Sequence, residues 1–160
     1  MPDLLWDDVK DFFDPDLMGS LPDVYIQNTT VDDLQALFDM VLKSCWAWEF
    51  SDGDTTAPLP TAAEIFARPA DAECVYLRVR PAPDVLAIFR PYASDEIWFD
   101  IDLRELQGQE RLDLLCGFFT AIGRRLGKPV CMTPEMGQEP VLGFEPTAGR
   151  VVLLADPRRP

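Results

Sequence analysis

A chain of 160 residues with 48% hydrophobic residues suits one folded domain, whose folding would bury about 70% of the surface that the unfolded chain exposes. The sequence contains no histidine, which excludes imidazole metal ligands and histidine-assisted serine or cysteine nucleophiles. Its net charge of −14 disfavours nucleic acid and anionic lipid as partners and favours a basic one. Residues 1–56 carry most of this charge, with 13 acidic residues and two lysines, although acidity that only keeps the protein soluble is the alternative.

The N-terminus and the cysteines predict a cytoplasmic protein. The first 16 residues hold six aspartates and one lysine, so the basic region that opens a secretory signal is absent. No apolar run approaches the roughly 18 residues that span a bilayer, and no membrane partner is expected. The four cysteines are Cys45, Cys74, Cys116 and Cys131. They include no C-x-x-C pair and are predicted to be reduced and buried, with a disulfide between distant elements left open.

The first half of the chain alternates helices and strands. Residues 1–22 are predicted to form an acidic N-terminal helix, ending at Phe13, and a loop. DVYIQN alternates polar and apolar side chains and predicts a short strand. A helix capped by Thr29 or Thr30 follows, because apolar residues then recur at steps of three and four. WAWEF predicts the next strand.

The second half contains a strand meander and the longest helix. TAAE is a capping-box signature for a short helix, and CVYLRVR, VLAIFR and EIWFDIDL predict three consecutive strands. QERLDLLCGFFTAIGRRLGK predicts a long helix that ends at Gly127. Within it, Gly117 and Gly123 indicate close packing, because glycine costs a helix roughly 1 kcal/mol against alanine. PVCMT, PVLGF and RVVLLA predict three more strands before a tail at 156–160.

This order of elements predicts an α+β fold. Consecutive strands without steady βαβ alternation favour an antiparallel sheet. No repeat, low-complexity tract or linker divides the chain, so residues 1–160 are expected to form a single domain. We expect a twisted, mainly antiparallel sheet of about six or seven strands with two long helices packed on one face.

The register of the meander can be predicted from its turns. If PAPD and PYASD turn the two hairpins, Tyr76 lies opposite Ile88, which lies opposite Trp98, and even-numbered residues share one face. The odd-numbered residues are Val75, Leu77, Val79, Val85, Ala87, Phe89, Ile97, Phe99 and Ile101, and all are apolar. This agreement supports the register, because a slip of one residue would mix the two faces.

The even-numbered face is the candidate binding surface. The residues expected to bind are Tyr76, Arg78, Arg80, Ile88, Trp98, Asp100 and Asp102. Tyrosine, tryptophan and arginine are the residue types enriched in binding hot spots. Two other interpretations stay open: a solvated face with arginine–aspartate pairs across strands, or a face that the N-terminal helix covers.

A carboxylate cluster is the alternative site. Asp100 and Asp102 project together from one strand, roughly 7 Å apart, and with Asp84 they could hold a magnesium ion. Arg78 and Arg80 nearby would instead keep these aspartates ionised and neutralised. No P-loop, G-x-G-x-x-G or G-x-S-x-G motif occurs, and no cofactor is expected.

These features favour a protein that binds rather than catalyses. The leading hypothesis is a non-enzymatic, acidic binding module of the inhibitor (immunity) or chaperone type that engages a basic protein partner, by analogy of charge and size alone. The first alternative is a metal-dependent enzyme that uses Asp84, Asp100 and Asp102. The second is a self-associating structural protein, with the row of Tyr76, Ile88 and Trp98 as a homodimer interface.

Overall fold

One antiparallel sheet organises the fold. The computed structural model describes residues 2–135, 137 and 139–155. Its strands are β1 (Asp23–Gln27), β2 (Ala47–Asp52), β3 (Thr55–Ala57), β4 (Val75–Ala82), β5 (Val85–Phe89), β6 (Glu96–Asp100), β7 (Val130–Thr133), β8 (Leu142–Glu145) and β9 (Arg150–Leu153). The order across the sheet is β3-β2-β4-β5-β6-β1-β7-β8-β9, so β1 joins the meander to the C-terminal strands. The α+β class and the antiparallel sheet are confirmed, whereas the strands described number nine rather than six or seven.

Five α-helices accompany the sheet in the described part of the chain, where four were expected, two of them long. They are α1 (Trp6–Val9), α2 (Pro15–Met18), α3 (Val31–Lys43), α4 (Ala62–Phe66) and α5 (Gln109–Leu126). The 13-residue α3 and the 18-residue α5 contact each other, and the buried apolar residues of both belong to one core. Within the described residues, no helix has the length and apolar character needed to cross a membrane.

The N-terminal segment departs from its prediction. Instead of one helix that ends at Phe13, α1 has four residues and a 3-10 turn follows it. The side chain of Gln109, at the start of α5, accepts a hydrogen bond from the Trp6 amide at 2.7 Å and donates one to the Leu4 carbonyl at 2.9 Å. These bonds hold Leu4 and Trp6 against the start of α5, and the chain becomes helical only from Trp6. The tail expected at 156–160 lies outside the described residues.

Local caps determine where the other helices begin and end. The Asp14 carboxylate accepts a hydrogen bond from the Asp16 amide, which caps α2 where only a loop was expected. Of the two threonines proposed to cap α3, Thr30 does so, in a capping box with Asp33. α5 ends as predicted at Gly127, whose φ of 67° is left-handed.

The long helices cover one face of the sheet, which we call the covered face. The nine odd-numbered residues predicted to point inward are at most 6% exposed. At the centre, the Phe99 ring lies 4.5 Å from Phe89 of the neighbouring strand, between ring centroids, and 5.7 Å from Phe118 of α5. The prediction of which meander residues point inward is therefore confirmed.

The pairing within the meander differs by two residues from the prediction. Ile88 was expected opposite Tyr76 and Trp98. It instead lies opposite Arg78 and Asp100. Between β4 and β5, the reason is that β4 continues through the expected hairpin turn and carries a bulge before its end. Because the shift is two residues, every side chain stays on its predicted face.

Only one of the two helix glycines makes the close contact that the sequence predicted. A Cβ atom added at Gly123 would collide with the Phe144 ring of β8, so a larger residue does not fit there. A Cβ added at Gly117 would meet nothing within 4 Å. The prediction is confirmed at Gly123 and wrong at Gly117, which lies on the exposed side of α5.

The cysteines are free but not uniformly buried. Cys45 and Cys74 are exposed, Cys131 is half-buried and Cys116 is buried in α5. Burial raises the pKa of the Cys116 thiol to about 12. The prediction of buried thiols is therefore wrong for Cys45 and Cys74, which lie just outside α3 and β4 in irregular segments.

Candidate binding surface on the open sheet face

The sheet face opposite α3 and α5 carries polar and aromatic side chains, and we call it the open face. Its central residues come from β1, β2, β4, β5 and β6 and are Asp23, Tyr25, Glu49, Tyr76, Arg78, Ile88, Trp98 and Asp100. Apart from Glu49, which is exposed, these residues are half-buried, since each packs against its neighbours while one side reaches solvent. The open face is thus a continuous surface of side chains held by strands.

Tyr76 is the centre of an arginine cluster on the open face. The guanidinium carbon of Arg78 lies 5.5 Å from the centroid of the Tyr76 ring, and that of Arg90 lies 5.4 Å from it. Both distances are within the range of cation–π attraction. Arg78 also donates a hydrogen bond to the Ser51 hydroxyl at 2.9 Å, and Arg90 forms a 2.7 Å ion pair with Asp100. The two arginines are therefore fixed in position rather than free to move in solvent.

Asp100 lies where the arginine cluster meets a second carboxylate. It is directly opposite Asp23 across the pairing of β6 with β1. Burial raises the pKa of Asp100 above its ordinary value, Arg90 opposes this change, and the nearby Asp23 reinforces it. Asp100 is consequently held between one positive and one negative neighbour.

The predicted binding residues divide into a central set and a marginal set. Tyr76, Arg78, Ile88, Trp98 and Asp100 all lie on the open face, on three adjacent strands. The predicted apolar row of Tyr76, Ile88 and Trp98 is wrong, because Ile88 lies opposite two charged residues. Trp98 instead packs against Tyr92, with ring centroids 5.8 Å apart.

Arg80 and Asp102 lie at the margins of this surface. Arg80 is exposed near the β4–β5 hairpin, where it donates a long hydrogen bond of 3.4 Å to the Pro83 carbonyl. Asp102 caps a 3-10 turn after β6 and forms a 2.8 Å ion pair with Arg104. Hydrogen bonds from Arg104 lower the pKa of Asp102. Both side chains are committed to local structure.

The structure does not bring Asp84, Asp100 and Asp102 together as a carboxylate cluster. Each forms an ion pair with a different arginine, and the partner of Asp84 is Arg111 at 2.7 Å. In the described ranges, no group of three or more aspartate, glutamate or cysteine side chains is placed to hold a metal ion. The metal hypothesis therefore gains no geometric support from these three residues.

One interpretation expected the N-terminal helix to cover the open face, but the helix lies elsewhere. The bonds of Gln109 hold α1 at the beginning of α5, on the covered side of the sheet. The Phe13 carbonyl accepts a hydrogen bond from Gln107 at 2.7 Å, which ties the following turn to the same place.

Sequence reasoning missed the contribution of β1 and of Arg90. The alternation of DVYIQ points Asp23 and Tyr25 away from the core, but the chain order does not reveal that β1 pairs with β6. Arg90 directly follows β5 and, like Ile88, has an even number. The alternation of side chains along the strand could therefore have placed Arg90 on the open face.

The arrangement can bind but offers few groups for catalysis. Its cations are paired and stacked on aromatic rings, and a surface of this composition is typical of protein recognition. In comparisons with protein-family models, curated proteins and solved structures, nothing matches this chain.

Proposed function

We propose that this chain is a non-enzymatic binding module that engages a basic protein partner through the open face. The observation that carries the proposal is the group of Tyr76, Arg78 and Trp98, which a regular sheet presents half-buried and facing solvent. Truncating tyrosine, arginine and tryptophan at interfaces costs the most binding energy, because they combine large apolar area with a polar end.

The surface is also prepared for binding before a partner arrives. Arg78 is held by the Ser51 hydroxyl and by the Tyr76 ring, so little side-chain freedom remains to be lost on association. Ordering a long side chain at an interface costs about 0.5–1.5 kcal/mol, and a preordered arginine avoids most of this cost.

The acidic N-terminal segment supports a basic partner. Asp7, Asp8, Asp11 and Asp16 are exposed in or beside α1 and α2 and add to a net charge of −14. Surface charge of one sign attracts an oppositely charged protein and raises its association rate. Because Cys45 and Cys74 are exposed free thiols, we propose that this encounter occurs in the reducing cytoplasm, in an inhibitor-type or chaperone-type role.

Affinity purification with matched tryptophan variants tests the proposal. Tagged wild type should retain a basic protein from a lysate of the native host, and Trp98→Ala should reduce retention at least about tenfold, as hot-spot truncations do. Trp48→Ala is the control, because Trp48 is exposed on β2 but pairs with Val79 in the covered-face register. It should retain the protein normally.

The salt dependence of retention and the molar mass of the wild-type protein complete this test. Retention should fall as salt rises from about 50 mM to about 200 mM, because screening weakens the attraction between the charged surfaces. Light scattering should show a monomer. The proposal is overturned if no basic protein is retained, if both tryptophan variants bind equally, or if wild type is a dimer that Trp98→Ala dissociates.

A further inference from the structure

A cleft with carboxylates at its margins opens where β6, β1 and β7 form the open face. Its volume is about 420 Å³, and its lining includes Asp23, Tyr25, Glu96 and Trp98. Tyr25 of β1 lies directly opposite Trp98 of β6, with Asp23 toward one end of this aromatic pair and Glu96 toward the other. The cleft therefore has two aromatic rings between two carboxylates.

Positive charge is concentrated on the other half of the open face. Arg78 and Arg80 belong to β4, and Arg90 follows β5, whereas β6 and β1 contain acidic residues and none of β6, β1 and β7 contains a lysine or arginine. Arg90 forms an ion pair with Asp100, which is the last residue of β6. Asp23 and Glu96 are left without a cation from these three strands.

The environment of Tyr25 agrees with this excess of negative charge. Its pKa is raised, first by burial and then by neighbouring acidic groups that include Cys131, Glu96 and Glu139. The carboxylates of Glu96 and Glu139 are thus close enough to the phenol to act on it.

We infer that this cleft receives an arginine side chain of the basic partner, an inference that rests on the proposed function. Asp23 and Glu96 would accept charge-assisted hydrogen bonds from the guanidinium group. The rings of Trp98 and Tyr25 would stack on its flat face, and an arginine stacks better than a lysine because its charge is planar and less strongly hydrated. The excess negative charge in the cleft selects a cation over a neutral side chain of the same shape.

A pair of small probes separates the effect of the ligand's charge from that of its shape. N-acetyl-L-arginine amide should shift the indole N–H resonance of Trp98 saturably in proton–nitrogen NMR spectra, with the resonance assigned from Trp98→Phe. N-acetyl-L-citrulline amide, which has nearly the same shape without charge, should leave it unshifted. The indoles of Trp6, Trp46 and Trp48 serve as internal controls because none of them lines the cleft.

Two glutamate variants locate the contact. Glu96→Gln should weaken binding of the arginine probe about tenfold, as the loss of a charged hydrogen-bond partner does. Glu49→Gln is the matched control, since Glu49 lies on β2 opposite Arg78, in the other half of the open face. Both residues are exposed, so both variants should fold normally, which circular dichroism checks. Equal shifts with the citrulline probe, or equal weakening by the two variants, would overturn the inference.

The outcomes separate this inference from the proposed function. If the arginine probe does not bind but retention of a basic protein still depends on Trp98, the open face binds a partner and the occupant of the cleft is wrong. If the probe binds as expected but no basic protein is retained, the cleft recognises arginine and the proposed function is wrong.

Discussion

The covered face and the open face are two sides of the same strands, yet different interactions hold their side chains. Phe99 and Trp98 are neighbours in β6 and point in opposite directions. Phe99 is fully buried among the rings of Phe89, Phe118 and Phe119. Trp98 is half-buried beside Tyr92 and belongs to a surface of charged residues.

This difference indicates how stability and binding are divided across the sheet. A side chain on the covered face stabilises the fold by roughly 25 cal/mol for each Å² of apolar area removed from water. Side chains on the open face interact mainly with one another, through ion pairs such as Arg90–Asp100 and rings stacked by arginines. Substitutions on the covered face should therefore unfold the protein, whereas those on the open face should alter recognition.

The largest expected effect comes from the two neighbours in β6. Phe99→Ala should lower the free energy of unfolding by about 3–5 kcal/mol, because it leaves a cavity between the sheet and α5. Trp98→Ala should lower it by about 1 kcal/mol, because its site opens to solvent and no cavity forms. Urea denaturation followed by circular dichroism measures both values, and equal losses would contradict the division between the faces.

The glycines of α5 extend the same comparison to the helix. Gly123→Ala should lower the free energy of unfolding by about 1–3 kcal/mol, because the new methyl group overlaps the Phe144 ring. Gly117→Ala should raise it by up to about 1 kcal/mol, because alanine favours the helix and its methyl group meets open space. Thermal unfolding of both variants measures the opposite signs, and a loss of stability in both would show that α5 packs tightly on its outer side too.

The sequence predicted which face of the sheet each meander residue takes, because this depends only on the alternation of apolar and polar side chains along the strands. The odd-numbered meander residues are apolar without exception, so any register that differs by an even number of residues gives the same faces. That is why five of the seven predicted binding residues lie at the centre of the open face although the pairing is shifted by two residues. The cap of α3 was predictable for a similar reason, since Thr30 and Asp33 act within one turn, whereas the cap of α2 by Asp14 was missed.

The remaining features depend on contacts between distant parts of the chain. The position of β1 beside β6 joins residues 69 to 77 positions apart, and no local pattern encodes it. β3 has three residues, too few to show a period, and it forms because it pairs back on β2. α1 begins late because Gln109, far along the chain, holds the residues before it. Strand number, the composition of the cleft and the N-terminal segment could therefore not be predicted.

A smaller effect is expected from the ion pair at the centre of the open face. Arg90→Gln should lower the free energy of unfolding by about 1–2 kcal/mol, because it leaves Asp100 half-buried beside Asp23 without its cation. Arg104→Gln is the matched control and should change stability little, since the side chain of Arg104 is 66% exposed in its pair with Asp102. Urea denaturation at neutral pH compares the two, and an equal effect would show that the Arg90 pair is no more than a surface contact.

The smallest effect concerns how the two aspartates near the end of β6 respond to pH. The pKa of Asp100 is raised above the ordinary value of 3.8, so the folded state holds this proton more tightly than the unfolded state. The stability of wild type relative to Asp100→Asn should therefore fall as pH rises from the ordinary pKa through the raised one. The pKa of Asp102 is lowered, so the stability of wild type relative to Asp102→Asn should rise as pH increases through the lowered pKa to the ordinary one.

The opposite signs make this pair a sensitive test of the open face. Asp100 is desolvated between Arg90 and Asp23, whereas Asp102 accepts hydrogen bonds from the backbone and side chain of Arg104 at the margin of the surface. Urea denaturation of wild type and both variants at a series of pH values from about 2 to 7 gives the two differences, in which carboxylates that do not interact with the substituted aspartate cancel. Slopes of the same sign would mean that the attraction of Arg90 outweighs burial and Asp23 at Asp100, which would contradict a desolvated Asp100 at the centre of the open face.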